Sequence, residues 1–141
     1  MLVAGGGPAG MEAARVAALR GHEVILCERE HKLGGLIPVA AMVKDLELED
    51  LVALVRYLRI QITKLGVTIR LGKEVNLSVI EEFKPDVVIL AAGGIPPVAE
   101  IPGINSRNVV SGSTLYHRLK NYLRFLGPKA LEWLTKGRIQ A

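Results

Sequence analysis

Three glycines at a fixed spacing are the residues of this sequence that most directly predict chemistry. Gly5, Gly7 and Gly10 follow the pattern G-x-G-x-x-G. The first glycine permits a tight turn, and the second lets a pyrophosphate approach the backbone. The third lets a following helix lie close to a sheet. The free N–H groups at the start of that helix would then face an anion, so the loop predicts a pyrophosphate site.

The elements around the loop are the ones that such a site needs. An apolar run at 1–4 precedes the loop, a helix-forming stretch extends to Arg20, and a second apolar strand covers 24–27. That strand stops at Glu28, which lies 18 residues after Gly10. An acid at about 20 residues accepts hydrogen bonds from a ribose hydroxyl in dinucleotide sites. A glycine turn by itself also occurs in ordinary strand–helix connections, but the full context favours a dinucleotide.

Two further groups of small residues are candidates for the same site. Gly34 and Gly35 follow Glu28 after a short polar segment and permit another close backbone approach. The most apolar strand, 87–91, is predicted to be a central parallel strand buried on both faces. It ends in Ala92-Gly93-Gly94, at the edge where open α/β sheets bind ligands.

The rest of the chain predicts an α/β domain. An amphipathic helix is expected over 46–65 and a strand over 67–71. A short helix is expected to start at Ser78, with Glu81 completing a capping box, and a further strand over 108–111. Ser113 or Thr114 could cap a last helix.

Composition excludes several classes of protein. The 141 residues fit one domain, and the apolar runs are too short to span a membrane. One cysteine, Cys27, excludes an internal disulfide, a dithiol pair, a four-cysteine zinc site and a self-contained iron–sulfur cluster. The three histidines lack metal-binding spacing, and no nucleophile–base set is evident. We therefore predict no metal site and no catalytic residue, and we expect a cytoplasmic location.

Charge is unevenly distributed along the chain. Residues 1–106 carry 11 Lys/Arg and 13 Asp/Glu, whereas residues 107–141 carry 7 Lys/Arg and one acid. A basic tail can bind nucleic acid or a partner protein. A solvated helix face, or a surface that meets another domain, is the preferred interpretation.

The glycine loop resembles the FAD-binding start of flavoproteins that contain two dinucleotide-binding domains. The resemblance rests on the run G-G-G-P-A-G-M-E-A-A at 5–14, on Glu28 and on Leu33-Gly34-Gly35. Residues 87–96 resemble the second marker of these proteins, usually written A-T-G-x-x-P. More narrowly, residues 1–112 resemble the C-terminal part of the 2,4-dienoyl-CoA reductase, enoate reductase and trimethylamine dehydrogenase group. Members of this group carry a segment like the I-P-G-I at 101–104.

The resemblance implies a three-layer Rossmann-like FAD/NAD(P)-binding domain with a central parallel sheet, here incomplete. It also implies that the loop holds the FAD pyrophosphate, that Glu28 binds the ribose, and that Arg29 lies beside the adenine. The second glycine pair would line the diphosphate and ribityl side, Val75 would contact adenine, and the segment after 90 would close over the cofactor. The expected cofactor-binding residues are Gly5, Gly7, Pro8, Ala9, Gly10, Glu28, Arg29, Gly34, Gly35, Leu36, Val75, Ala91, Ala92 and Gly93.

The sequence departs from this group in three ways. Ala92 replaces a frequent Thr, and no dithiol pair follows Gly35, which argues against disulfide reductase chemistry. The NAD(P)H-binding domain, the segment that completes the FAD fold, and the FMN barrel with its cysteine cluster have no counterpart in the chain. We therefore expect the FAD-binding part of a larger NAD(P)H oxidoreductase, without turnover by itself. It would bind FAD, only the ADP half of FAD, or nothing detectable.

We expect residues 1–112 to form the cofactor-binding domain and 113–141 to form a basic helical segment that leads toward an NAD(P)H-binding domain. The expected partners are the other domains of the larger flavoenzyme, with a homo-oligomer left open and no membrane. Two alternatives remain: a non-catalytic ADP- or NAD-binding module, and a nucleic-acid- or partner-binding domain that uses the basic segment.

Overall fold

The computed structural model describes residues 1–40, 49–94 and 100–112, together with Thr114, Leu115, Arg118 and Asn121. The chain divides into two compact units, one of Met1–Ala41 and Asp45–Gly93 and another of Met42–Lys44 and Gly94–Ala141. All strands of the described sheet belong to the first unit. Apart from those four residues, the predicted helical segment 113–141 lies outside the described part of the chain, as do 41–48 and 95–99.

Strands and helices alternate along the first unit, as the sequence predicted. Their bounds are β1 Leu2–Ala4, α1 Pro8–Leu19, β2 Ile25–Glu28, α2 Ile37–Ala40, α3 Glu49–Lys64, β3 Thr68–Leu71, α4 Leu77–Phe83 and β4 Val88–Leu90. The four strands form a parallel sheet in the order β3-β2-β1-β4. The predicted α/β class with a parallel sheet is therefore confirmed.

One face of the sheet and two helices form the core. Val3 aligns with Leu26 of β2 and with Ile89 of β4, so these side chains share a face. Helices α1 and α3 pack against each other over this face. The connection from β3 to β4 crosses back over the sheet, so the right-handed rule places α4 on the opposite face. The buried core cluster contains Val3, Met11, Ala14, Ala17, Val24, Leu26, Leu33, Val55, Leu58, Ile62 and Val67.

Helix α3 matches its predicted apolar face over most of its length. Val55, Leu58 and Ile62 are buried at helical spacing, and Gly66 follows the helix in a left-handed conformation with φ +74°. Leu51 and Leu54, which helical spacing puts on the same face, are 39% and 42% exposed. The predicted start of this helix at residue 46 lies outside the described residues.

The prediction that the strand at 87–91 is central and buried on both faces is wrong for the described chain. β4 is an edge strand that pairs with β1 on one side, and Leu90 is 79% exposed. Val87 just before it is 47% exposed. An apolar run indicates burial only if neighbouring elements cover it, and no described strand pairs with the outer edge of β4.

Two smaller expectations about local structure are also corrected. Helix α4 is capped by Asn76 rather than Ser78, because Asn76 Oδ1 accepts from the Val79 N–H at 3.0 Å. The Ser78 hydroxyl itself donates to Asn76 Oδ1 at 2.7 Å. Residues 108–111 form turn and irregular backbone instead of a strand. Of the two caps expected for the last helix, Ser113 lies outside the described residues, and the Thr114 N–H donates to the Ser111 hydroxyl at 3.2 Å.

Within the described residues, none of the helices combines the length and apolarity needed to cross a lipid bilayer.

A pair of identical substitutions on α3 tests the packing of the core. Ile62 is fully buried, whereas Ile60 on the same helix is 44% exposed. We expect Ile62→Ala to lower the free energy of unfolding by about 2–5 kcal/mol, because it removes buried methyl groups and leaves a cavity. The control Ile60→Ala should change it by about 0.5 kcal/mol or less. Urea denaturation of both variants measures the difference, and equal losses would contradict this packing.

The buried Cys27 thiol should make stability depend on pH. Burial raises the pKa of this thiol above its ordinary value, and the side chain is 1% exposed. The folded state then keeps a proton that the unfolded state releases at alkaline pH, so stability is lost as pH rises above the pKa of the unfolded thiol. We expect the free energy of unfolding to fall more steeply between neutral and alkaline pH in the wild type than in Cys27→Ala. Parallel pH profiles would refute it.

Candidate functional site

The glycine loop and Ala91–Gly93 lie where the direction of strand connections reverses. From β1 the chain crosses to β2 and β3 on one side, and β4 lies on the other side of β1. The glycine loop follows β1, and Ala91–Gly93 follow β4. Ligands of open α/β sheets bind beyond the carboxyl ends of the strands at such a switch point. The fold therefore brings the two segments to the same edge of the sheet.

Close backbone contacts explain the first and third glycines of the loop. Gly5 has φ +115°, which disfavours any other residue, and its N–H donates to the Cys27 carbonyl at 2.8 Å. A Cβ atom at Gly5 would overlap the Ala91 carbonyl oxygen. A Cβ atom at Gly10 would overlap the Gly5 carbonyl oxygen. Both positions therefore exclude side chains for reasons of packing within the protein.

The second glycine has a different role, because space is available beside it. Gly7 is the N-cap of α1 with φ −73° and ψ −179°, and a Cβ atom there would lie 3.9 Å from the Gly35 Cα atom. Pro8 occupies the first turn, where its missing N–H costs no hydrogen bond. In the described structure the N–H groups of Gly7, Ala9 and Gly10 donate to no protein acceptor. They form a donor set suited to an anion at the helix start.

Glu28 is the buried carboxylate of the site. Its residue is 8% exposed, and its Oε2 accepts from the Gly6 N–H at 2.6 Å. Its Oε1 accepts from the Glu30 N–H at 2.8 Å. The Glu28 backbone oxygen accepts from the Lys73 N–H at 3.0 Å. A carboxylate with two backbone donors is stabilised in its buried position, and each oxygen keeps lone-pair capacity for a further donor such as a ribose hydroxyl.

The second glycine pair lies directly beside the loop. The Gly34 N–H donates to the Gly6 carbonyl at 2.9 Å. Gly34 has φ +124° and lies against Val55 and Pro38, where a Cβ atom would approach side-chain carbons at 3.2 and 3.3 Å. Gly35 has φ +58°, and a Cβ atom there would lie 3.2 Å from the Gly7 Cα atom. The two glycine segments are therefore in backbone contact.

The remaining predicted residues are exposed or half-buried. Arg29 is exposed, and its Nε lies 4.0 Å from Glu30 Oε1. Val75 is half-buried and follows Lys73, whose N–H is bonded to the Glu28 carbonyl. The other three are exposed: Leu36, Ala92 and Gly93.

Two residues that are absent from the expected cofactor-binding set belong to the centre of the site. Gly6 bonds to both Glu28 and Gly34, and a Cβ atom at Gly6 would overlap Leu33 Cδ2. Leu33 is 8% exposed and belongs to the core. Gly6 occupies the first x position of G-x-G-x-x-G, where the pattern allows any residue. The presence of glycine at that position was the only indication in the sequence, and the spacing pattern assigns it no role.

The described site offers backbone N–H donors and one buried carboxylate acceptor. The described residues contain no group of His, Cys, Asp or Glu side chains that could hold a metal ion. Burial raises the pKa of the Cys27 thiol, which keeps it protonated and unreactive at neutral pH. A hydrogen bond from Arg15 lowers the pKa of Glu12. Both residues belong to α1, so this pair stabilises the helix and not the site.

The geometry fits the ADP portion of a dinucleotide. The loop offers unpaired N–H donors, the absence of side chains at Gly7 and Gly35 leaves the backbone accessible, and Glu28 supplies an anionic acceptor. These are the features by which a pyrophosphate and a ribose hydroxyl are recognised.

Comparison with known proteins agrees with the geometry. A family model described as "Pyridine nucleotide-disulphide oxidoreductase" matches residues 1–126. The cinnamate reductase of Clostridium sporogenes is 46% identical over 103 residues, which are 73% of this chain and 15% of that protein. The N,N-dimethylglycine/sarcosine dehydrogenase of Chromohalobacter salexigens is 42% identical over 102 residues, 72% of this chain and 14% of that protein. This chain therefore spans about a seventh of the length of these relatives.

A solved structure gives the same picture. A 2-naphthoyl-CoA reductase complexed with 2-naphthoyl-CoA superposes with a TM-score of 0.76 and 34% identity, covering 84% of this chain and 18% of that one. The reductases and the dehydrogenase agree with the group that the sequence resembles. The chain belongs to the pyridine nucleotide-disulphide oxidoreductase family, and its fold is that of the FAD/NAD-binding domain of flavin-dependent reductases.

Proposed function

We propose that this chain is the FAD-binding part of a flavin-dependent NAD(P)H oxidoreductase of the dienoyl-CoA or enoate reductase type. The observation that carries the proposal is the meeting of three segments at the switch point of the sheet, namely the glycine loop, Glu28 and the Gly34–Gly35 pair. The relatives reported above include a cinnamate reductase and a naphthoyl-CoA reductase, which supports this type of substrate.

In this proposal, different groups of residues contact different parts of FAD. The loop N–H groups hold the pyrophosphate, Glu28 holds the adenosine ribose, and Arg29 and Val75 lie toward the adenine. Leu36 and the segment Ala91–Gly93 lie toward the flavin end. FAD supplies two-electron redox chemistry when bound, and the protein groups contribute position and charge. Because Glu28 is anionic, a free 2′-hydroxyl is preferred to a 2′-phosphate.

We further propose that the chain acts within a larger enzyme. The relatives are about seven times as long as the matched segment, and the described residues supply no second dinucleotide site. Residues 1–112 would form the cofactor-binding part, and 113–141 would lead toward an NAD(P)H-binding domain. FMN and an iron–sulfur cluster would belong to other parts of that enzyme, and substrate would bind there too.

A second candidate is a non-catalytic module that binds ADP or NAD. The observation that favours it is a difference between the ribose end and the flavin end of the site. Glu28, the group for the ribose, is buried and held by two backbone N–H donors, whereas Ala92 and Gly93 at the flavin end are exposed. A flavin absorption spectrum of the purified protein separates the two functions. Bound ADP without flavin would favour this second candidate.

Removing the space beside the second glycine should weaken nucleotide binding without harming the fold. We expect Gly7→Ala to lower the affinity for ADP about tenfold or more, because the new methyl group occupies the approach to the backbone. The fold should persist, since that methyl group meets its nearest atom at 3.9 Å and the backbone angles suit alanine.

Gly112→Ala is the matched control, because Gly112 has open space around it. Titration calorimetry measures the affinities, and thermal unfolding measures stability. Unchanged affinity in a stable Gly7→Ala protein would remove the loop from the nucleotide site.

The isolated chain should not oxidise NADH. After reconstitution with FAD, we expect no decrease in NADH absorbance above that of free FAD, because the described residues offer no second nucleotide site. Measurable oxidation by the FAD-loaded chain would overturn the proposal that turnover needs further domains.

A further inference from the structure

The peptide group of Gly6 connects two parts of the site. Its N–H donates to Glu28 Oε2 at 2.6 Å, and its carbonyl accepts from the Gly34 N–H at 2.9 Å. Gly6 is buried. The carboxylate at the end of β2 is thus joined, through one peptide group, to the second glycine segment.

Packing explains why this position is glycine. A Cβ atom at Gly6 would overlap Leu33 Cδ2 and would lie 3.0 Å from both the Cβ and Oε2 atoms of Glu28. Gly6 lacks a positive φ, so the requirement comes from the neighbours and not from the backbone conformation. A side chain at this position would force Leu33 or Glu28 to move, and so would disturb the bond between the Gly6 N–H and the carboxylate.

Glu28 is itself held from more than one side. Its second carboxylate oxygen accepts from the Glu30 N–H at 2.8 Å, and its carbonyl accepts from the Lys73 N–H at 3.0 Å. A charged acceptor with a buried backbone donor forms one of the stronger kinds of protein hydrogen bond. The position of Gly6, and with it that of Gly34, therefore depends on the Glu28 carboxylate.

We infer that Gly6 is a positioning residue through which Glu28 supports phosphate binding as well as ribose binding. The Glu28–Gly6–Gly34 chain of bonds holds the two glycine segments at their spacing before a nucleotide binds. Glu28 thus acts on the pyrophosphate indirectly, through the backbone. This inference rests on the proposed function, because it concerns the same nucleotide site.

The test uses a ligand that lacks the ribose hydroxyls. We compare ADP with 2′,3′-dideoxy-ADP for the wild-type chain, Glu28→Ala and Glu28→Gln by titration calorimetry. We expect Glu28→Ala to lower the affinity for dideoxy-ADP about tenfold, because the loop loses its anchor. We expect Glu28→Gln to lower that affinity less, by about threefold, because its one amide oxygen still accepts from the Gly6 N–H while its NH2 group cannot accept from the Glu30 N–H.

The alternative roles of Glu28 give different results. If Glu28 acts on the ribose alone, neither variant changes the affinity for dideoxy-ADP. If it acts only as a nearby negative charge, both variants bind dideoxy-ADP more tightly, because repulsion of the phosphates is removed. Either result overturns the inference while ADP binding by the wild type upholds the proposed function. Failure of the wild type to bind ADP overturns the proposed function instead.

A ligand-free measurement covers the case in which Glu28→Ala is poorly folded. Amide hydrogen exchange by NMR should be faster at Gly6 and Gly34 in Glu28→Ala than in the wild type, with Glu28→Gln close to the wild type. The exchange of Leu26 in β2 reports global stability. Faster exchange at all three sites equally, or unchanged exchange at Gly34, contradicts the bond chain.

Discussion

The close approach of Gly10 to the carbonyl oxygen of Gly5 is the contact on which the rest of the structure depends. It brings the first turn of α1 against the end of β1. From this start, Met11, Ala14 and Ala17 fall on the buried side of the helix. The same contact orients the first N–H groups of α1 beyond the sheet. Core packing and the donor set at the helix start therefore have one geometric origin.

The parts that the sequence predicts well are those in which local rules and tertiary packing agree. Glycine spacing, helix periodicity and strand runs predicted α1, most of α3 and the parallel sheet. They also predicted that Glu28 and the Gly34–Gly35 pair lie near the loop. The structure places them together, because parallel strands end at the same edge of a sheet.

The parts that the sequence did not predict depend on which neighbours are present. The apolar run of β4 has the composition of a central strand, but composition carries no information on whether a further strand pairs with it. Asn76 and Ser78 are both good caps, and the path of the chain after β3 decides between them. Gly6 stands at a variable position of the motif, and its role comes from the burial of Glu28 and Leu33 on two sides of it.

The exposed edge at β4 has a practical consequence for the isolated chain. An apolar edge strand offers backbone donors and acceptors to any extended segment, including the same strand of another molecule. Leu90, at 79% exposure, adds hydrophobic attraction to that pairing. Self-association of the purified chain through this strand would increase with protein concentration, and a charged side chain at position 90 would oppose it at the concentrations that spectroscopy requires.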